Sequence, residues 1–303
     1  MRIKKMKKIV LAVLIIISLA AGFSAAANTV IWTGAQDGNW AEPNNWSTLK
    51  VPIDGNNVYI ENSAVSITMG LTQSAVTLAS LNISQSFIGT IADDVNYLAI
   101  GATAVSIGNY NGPGVPTGSG RIKLNLGSAQ SYVIIHNSGA PVISSKPAIL
   151  LLGTHASNVL ELRKGKVGIA FATGEVSTFA TIKSSYVTQP TTDAELTIGS
   201  GVTLTALTQT GGKNTLLCAA TTVTCRNGTL AIDGTGAITT LTVEGGIVTS
   251  NTTGTITTAT VKTAGTLDLA KSTTARTITA VKLDAAGVIK YDPAVITLTN
   301  KVN

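Results

Sequence analysis

Past residue 27, apolar residues recur in short alternating runs, and no window shows the 3.6-residue period of an amphipathic helix. Val, Ile, Leu and Thr alternate with Gly, Asn and Ser, which predicts many short strands. In the C-terminal part the pattern repeats. Aligned on glycine, one unit reads GTLAIDGTGAITTLTVEG from Gly228 and the next GIVTSNTTGTITTATVKTA from Gly246. GTLDLAKSTTARTITAVKLDAA follows from Gly265, then GVIKYDPAVITLTNKV from Gly287. Successive glycines are 18, 19 and 22 residues apart. Each unit has a glycine corner, a strand of three or four residues, a polar turn and a longer threonine-rich strand. The inward set includes Leu230, Ile232, Ile238, Leu241, Val243, Ile247 and Ile256. It continues with Val261, Leu267, Leu269, Ile278, Val281 and Leu283. Residues 196–212 and 77–86 read as less regular copies.

A unit this short cannot close a core alone, but stacked on its neighbours it shares a continuous apolar column. The expected fold is all-β, a right-handed parallel β-helix (β-solenoid). With about 20–25 residues per coil and coils about 4.8 Å apart, some 11–13 coils would give an axis of about 50–60 Å. A pair of threonine-rich β-sandwiches is the competing architecture. It calls for hairpin turns at regular spacing, and tight turns such as Asn227-Gly228 and Asp233-Gly234 are few.

The N-terminus changes what the charge means. Arg2, Lys4, Lys5, Lys7 and Lys8 precede an apolar run over residues 9–19, and small residues follow up to Ala25, Ala26 and Ala27. A basic stretch, an apolar stretch and an A-x-A site are the three parts of a secretory signal peptide. Residues 1–27 are therefore expected to be removed; an uncleaved anchor is the alternative that the 19 uncharged residues 9–27 allow. The whole chain carries +6, but removal of five basic residues leaves 16 against 15 acidic ones. Arg163, Lys164 and Lys166 form the one dense basic spot, too small for a phosphate-tracking groove. Nucleic acid is not an expected partner, nor is a membrane once the signal is gone.

Composition then supports the solenoid. Only 12% of residues are charged, against about a quarter in ordinary soluble domains. Threonine takes their place: 28 of the 45 threonines fall in residues 201–303, on β-branched positions suited to a pleated face. Two cysteines in 303 residues exclude a disulfide-dense scaffold.

All three tryptophans lie in WTGAQDGNWAEPNNW, from Trp32 through Trp40 to Trp46, followed by Ser47, Val51-Pro52, Asp54 and Val58-Tyr59-Ile60. This segment resembles the W-x-G … NW … NW-S … VP … D … V-x-I opening of many bacterial secreted and surface parallel β-helix proteins, among them autotransporter-type passengers. The resemblance covers about 30 residues and implies a Trp-rich N-terminal cap (residues 28–62) before the solenoid proper (63–303), commonly in adhesive or structural surface proteins. No membrane-barrel pattern follows, since solenoid grammar continues to Asn303, so self-translocation is not expected. Rings laid over the first coil would cover its apolar end, with Asn and Asp side chains satisfying the turns. The functional alternative makes Trp40 and Trp46 a platform for sugar rings.

Candidate chemistry is sparse. His136 and His155 are not at metal-ligand spacing, no nucleophile or phosphate-loop motif is present, and no metal or cofactor is expected. Asp37 and Asn39, together with backbone carbonyls, give only a weak calcium signal, two side-chain oxygens in one turn. Polysaccharide lyases and glycoside hydrolases built on parallel β-helices remain the alternative class. They need converging carboxylates, whereas Asp233, Asp268, Asp284 and Asp292 take different offsets within their units, with Lys271 and Arg276 near Asp268. Cys218 and Cys225, seven residues apart, would be able to close a small disulfide loop after export. Residues 105–120, with Tyr110, read as a protruding loop where ligand contacts often sit. The expected function is that of a secreted or cell-surface structural or adhesive solenoid. It is read as non-catalytic, with environmental or cell-surface glycans as candidate partners met through Trp40, Trp46 or Tyr110.

Overall fold

Among the described residues every registered strand pairing is parallel, and twenty strands join in one hydrogen-bonded sheet that winds around a common core. The structure, a computed structural model of the chain, describes residues 28–109, 121–139, 146–185 and 194–302. The expected export signal and Tyr110 lie outside the described residues. The architecture is a parallel β-helix; the sandwich, which needs antiparallel hairpins, is excluded.

Two long ladders organise the stack. One begins at Thr29–Trp32 and Asn57–Ile60 and runs through Thr72–Ser84, Leu98–Asn109, Tyr132–Ile135, Val159–Leu162, Ser177–Ser184 and Val202–Gln209. It continues through Ala220–Cys225, Ile238–Ser250, Ile256–Asp268 and Ala280–Leu283 to Lys301–Val302. These thirteen rungs, about 4.8 Å apart, span roughly 58 Å. The second ladder starts at Ile122–Asn125, Ile149–Leu152 and Gly165–Ile169, then takes Ala194–Ile198, Lys213–Leu216 and Thr229–Ile232. It ends on the C-terminal halves of Ile238–Ser250 and Ile256–Asp268 and on Val288–Lys290.

Parallel pairing in register places like residues above like. In the first ladder Trp32, Ile60, Ile83, Ile107, Ile135 and Leu162 form one inward column, continued by Ser184, Gln209, Cys225, Val243 and Val261. All of them are buried. Burying one Val, Leu or Ile side chain contributes about 1.5–3 kcal/mol, so the column is a main source of stability. Polar residues interrupt it where Ser184 donates to Asn214 Oδ1 (2.8 Å) and Gln209 Nε2 donates to the carbonyls of Gly212 (3.2 Å) and Thr229 (3.0 Å). The sequence pattern did not single out this belt.

The glycine corners fall where the repeat places them. Gly212, Gly228 and Gly246 have φ of +71°, +82° and +70°, and a Cβ on Gly246 would collide with the carbonyl oxygen of Gly228. Only glycine fits such a stack of left-handed corners. Gly246 pairs with Gly265, so the glycine repeat of the sequence is also the physical register. One inward assignment fails: Ile247 is 46% exposed, and Val248 is buried instead. Register explains it, since Ile247 stacks between Thr229 and Thr266, whereas Val248 stacks between Leu230 and Leu267. Two rungs, Thr29–Trp32 and Asn57–Ile60, already belong to the ladder inside residues 28–62, so the tryptophan segment is continuous with the stack.

Truncating Leu241→Ala should cost about 2–5 kcal/mol, because the rigid column cannot close over the cavity. Ile247→Ala, on the outer surface, should stay within about 0.5 kcal/mol. Urea unfolding followed by circular dichroism checks the pair, and equal losses would contradict this register.

Candidate functional site

The most regular surface of the molecule is built by the shortest coils. From Gln209 to Cys225, Val243 and Val261 the steps are 16, 18 and 18 residues, leaving no length for projecting loops. Between the inward residues Val223, Leu241 and Ala259, the side chains on either side must point outward, because strand side chains alternate. All six are threonine. Thr222, Thr240 and Thr258 form one column, and Thr208, Thr224, Thr242 and Thr260 the next. Both columns are partly exposed. A third line, Thr205, Thr221, Thr239, Thr257 and Thr279, runs along the adjoining edge and is exposed. Together they make a face of twelve threonines.

Charge is kept off this face. Lys183, in register with Thr208, and Lys282, in register with Thr260, stand at its two ends. Along one side Glu244 is shared by Arg226 (3.1 Å) and Lys262 (2.9 Å), one residue from each of three successive coils. Hydrogen bonding to Lys262 holds the Glu244 carboxyl below its ordinary range, so the group stays ionised and paired. Other threonines spend their hydroxyls on the protein: Thr252 donates to the Gly236 carbonyl (3.0 Å) and Thr299 to that of Thr279 (2.7 Å). Among the described residues, no hydrogen bond inside the protein engages the twelve hydroxyls of the face.

The tryptophans do not form a sugar platform. Trp32, Trp40 and Trp46 are all buried, at 1%, 0% and 1% exposure, which corrects the binding role considered for Trp40 and Trp46. Trp46 meets both others edge-to-face, with centroids 5.1 Å from Trp32 and 4.7 Å from Trp40. Its indole donates to the Trp40 carbonyl (2.8 Å). The neighbouring backbone occupies a strand edge: Thr33 N donates to Asn45 O (2.8 Å) and Ser47 N to Ile31 O (2.9 Å). Alternation puts these groups on the side of Thr29–Trp32 away from Asn57–Ile60, so an edge open to aggregation is covered. Buried Asn45 ties the turn together. Its Oδ1 accepts from Gln36 N (2.8 Å) and Asp37 N (3.0 Å), and its Nδ2 donates to Asp37 Oδ1 (2.7 Å) and Asn39 O (2.9 Å).

Cys218 and Cys225 are free, buried thiols rather than the two ends of a bridge. Cys225 lies in the inward column and its Sγ donates to Asn227 O (3.6 Å). Burial pushes both thiols up to about 12. His155 closes a turn by accepting from Ser157 N (3.1 Å), and His136 lies 3.1 Å from Arg163.

One cluster of titratable groups surrounds a cleft of about 520 Å³ lined by Asp93, Asn96, Tyr97 and Asn125, and another joins buried Glu161 to Arg163 and Tyr132. Lys123, 3% exposed, lies over the Tyr97 ring at 4.5 Å, and the Tyr97 hydroxyl donates to Glu175 Oε1 (2.7 Å). Arg121 pairs with Asp94. Burial, then Glu175, hold the Tyr97 hydroxyl far above its ordinary range, so it stays protonated. A glycosidase acid needs a raised carboxyl. Asp93 is instead held low by the amides of Asn96 and Val95, and Asp94 by Arg121. Asp268 and Asp292 cap turns by accepting from Ala270 N (3.0 Å) and Ala294 N (2.9 Å). Arg276 turns inward to the carbonyls of Ser250 (2.9 Å) and Thr252. No group of three His, Cys, Asp or Glu converges for a metal among the described residues. The arrangement is that of structural pairs.

Asn45→Ala should cost about 1–3 kcal/mol by removing the acceptor of the part-buried Gln36 and Asp37 amides and both bonds donated by its own Nδ2, read from the denaturation midpoint of tryptophan emission. Both thiols should stay unreactive to a disulfide-exchange reagent in the native protein and titrate fully in denaturant. Loss of two protons by mass, with no thiol in denaturant, would show a bridge instead. No family model matches the chain, and neither a curated protein nor a solved structure matches it.

Proposed function

We propose that the protein is an exported, non-catalytic β-solenoid of structural or adhesive type that works through its threonine face. The observation that carries this reading is the face itself: twelve solvent-facing threonines in register, with no charge among them. Such a surface offers methyl groups and free hydroxyls on a rigid support. Threonine is stiff at χ1, so little side-chain entropy is lost on contact. It suits extended, uncharged partners, cell-surface and environmental polysaccharides among them, better than a discrete ionic ligand.

Two further features support the reading. The N-terminal sequence has the three parts of an export signal, and its removal leaves a nearly neutral chain. Among the described residues, the carboxylates with displaced pKa are all held low, which disfavours glycoside hydrolysis.

Adhesion of this kind should be insensitive to salt, because screening acts on charges and the face has none. The test is co-sedimentation with insoluble cellulose, chitin and cell-wall particles at low and high salt. Thr222→Lys combined with Thr258→Lys should weaken adsorption about tenfold or more, equivalent to 1.4 kcal/mol. Adsorption that disappears in salt, or that ignores these substitutions, would overturn the proposal.

A further inference from the structure

The threonine face has a geometry as well as a chemistry. Along the stack its rows repeat at the ladder spacing of about 4.8 Å, and across each strand the two outward residues lie about 6.7 Å apart. Three consecutive rungs carry the complete Thr-x-Thr pair: Thr222 with Thr224, Thr240 with Thr242, and Thr258 with Thr260. A fourth, with Ala206 and Thr208, extends the net by one row. Inter-coil backbone bonds hold the net, so it does not depend on side-chain contacts between the threonines.

From this geometry we infer that the face binds crystalline water: it docks onto a prism face of ice. The inference rests on the reading of the threonine face as the contact surface, and it names the occupant. Water oxygens on that ice face repeat on a rectangular net of closely similar dimensions. Each threonine supplies a hydroxyl that donates and accepts, and a methyl group that orders the water beside it. Neighbouring waters held at lattice spacing can join the crystal with little further ordering, and water-mediated contacts are nearly as favourable as direct ones.

The same features argue against a discrete sugar here. Sugar sites combine aromatic faces with a few placed polar groups. The threonine columns hold no aromatic residue, and the three tryptophans are buried elsewhere. Nor does charge recommend an ionic partner, since Lys183 and Lys282 stand only at the ends and Glu244 is paired. The second ladder is a built-in contrast. Its outer surface mixes Lys166, paired with Glu195 at 3.2 Å, with Lys213, Ile247 and Thr215, and has no such net.

The experiment is ice-affinity partition of the full chain together with thermal hysteresis of a seed crystal. The wild type should enter the ice fraction and hold the crystal faceted below its melting point. Thr240→Lys with Thr242→Lys should reduce both readouts about tenfold, since it places two charges at the centre of the net. Thr215→Lys, on the other ladder, should leave both unchanged. Circular dichroism confirms that each variant is folded, and Thr240→Ser, which only removes a methyl group, serves where the double variant is not. Exclusion of the wild type from ice, or equal partition of wild type and face variants, would overturn the inference. If face variants lose polysaccharide adsorption while the wild type is excluded from ice, adhesion stands and ice is not its occupant. If neither surface is bound, both proposals fall.

Discussion

Hydrogen bonding between successive coils is the constraint from which the rest follows. A parallel ladder sets one spacing and one register for every residue in a column, and it does so through the backbone, whatever the side chains are. The interior then has to be a set of columns, filled from Trp32 to Val261 by residues that stack on their counterparts. The outside inherits the same order. Wherever coils are short and free of insertions, outward side chains form a net whether or not a function uses it. What is chosen is their identity, and in residues 202–261 that identity is threonine.

Coil length divides the molecule into two kinds of surface. Between Trp32 and Ser184 the steps along the first ladder run from 22 to 28 residues, and where the extra chain is described, as over residues 85–97 and 170–176, it forms loops. Those loops bring Asp93, Asp94, Tyr97 and Glu175 around Arg121 and Lys123, and they cover Lys123 almost completely. Once the steps fall to 16 and 18 residues, no chain is left to fold over the strands, and the outer face lies open. Charge and aromatic groups concentrate in the first region because loops can shelter and pair them. Neutral hydroxyls suit the second because nothing there shelters a charge.

The fold was legible because the repeat has a physical cause. Glycine at 228, 246 and 265 marks a corner where coils approach too closely for a side chain, so aligning on glycine aligns the ladder. The error at Ile247 has the same origin. Alternation gives the period but not the phase, and in GIVTS both Ile247 and Val248 are apolar, so only the pairing with Thr266 and Leu267 decides which one turns inward. Trp40 and Trp46 were ambiguous for a different reason: an aromatic residue near a turn serves equally as a lid or as a ligand shelf. Burial decides between them, and burial depends on contacts far apart in the chain, such as the bond from Trp32 Nε1 to Val65 O. The buried polar belt of Ser184, Gln209 and Asn214 was not legible, since each residue alone reads as a surface position.

The threonine net was visible in the sequence in part. Thr240 lies twelve residues after Gly228, and Thr258 twelve after Gly246, so the glycine alignment already superposes the two Thr-x-Thr pairs. What the alignment lacks is the distance between them. The same composition folded as a sandwich would place those pairs on separate strands with antiparallel neighbours, and the net would be lost. Only a parallel ladder turns a repeat in one dimension into a lattice in two, and only then does threonine enrichment acquire a spacing that a crystalline partner can match. The contact proposed for this face is therefore a property of the register, and a single inserted residue in one coil would damage it more than a conservative change at any one threonine.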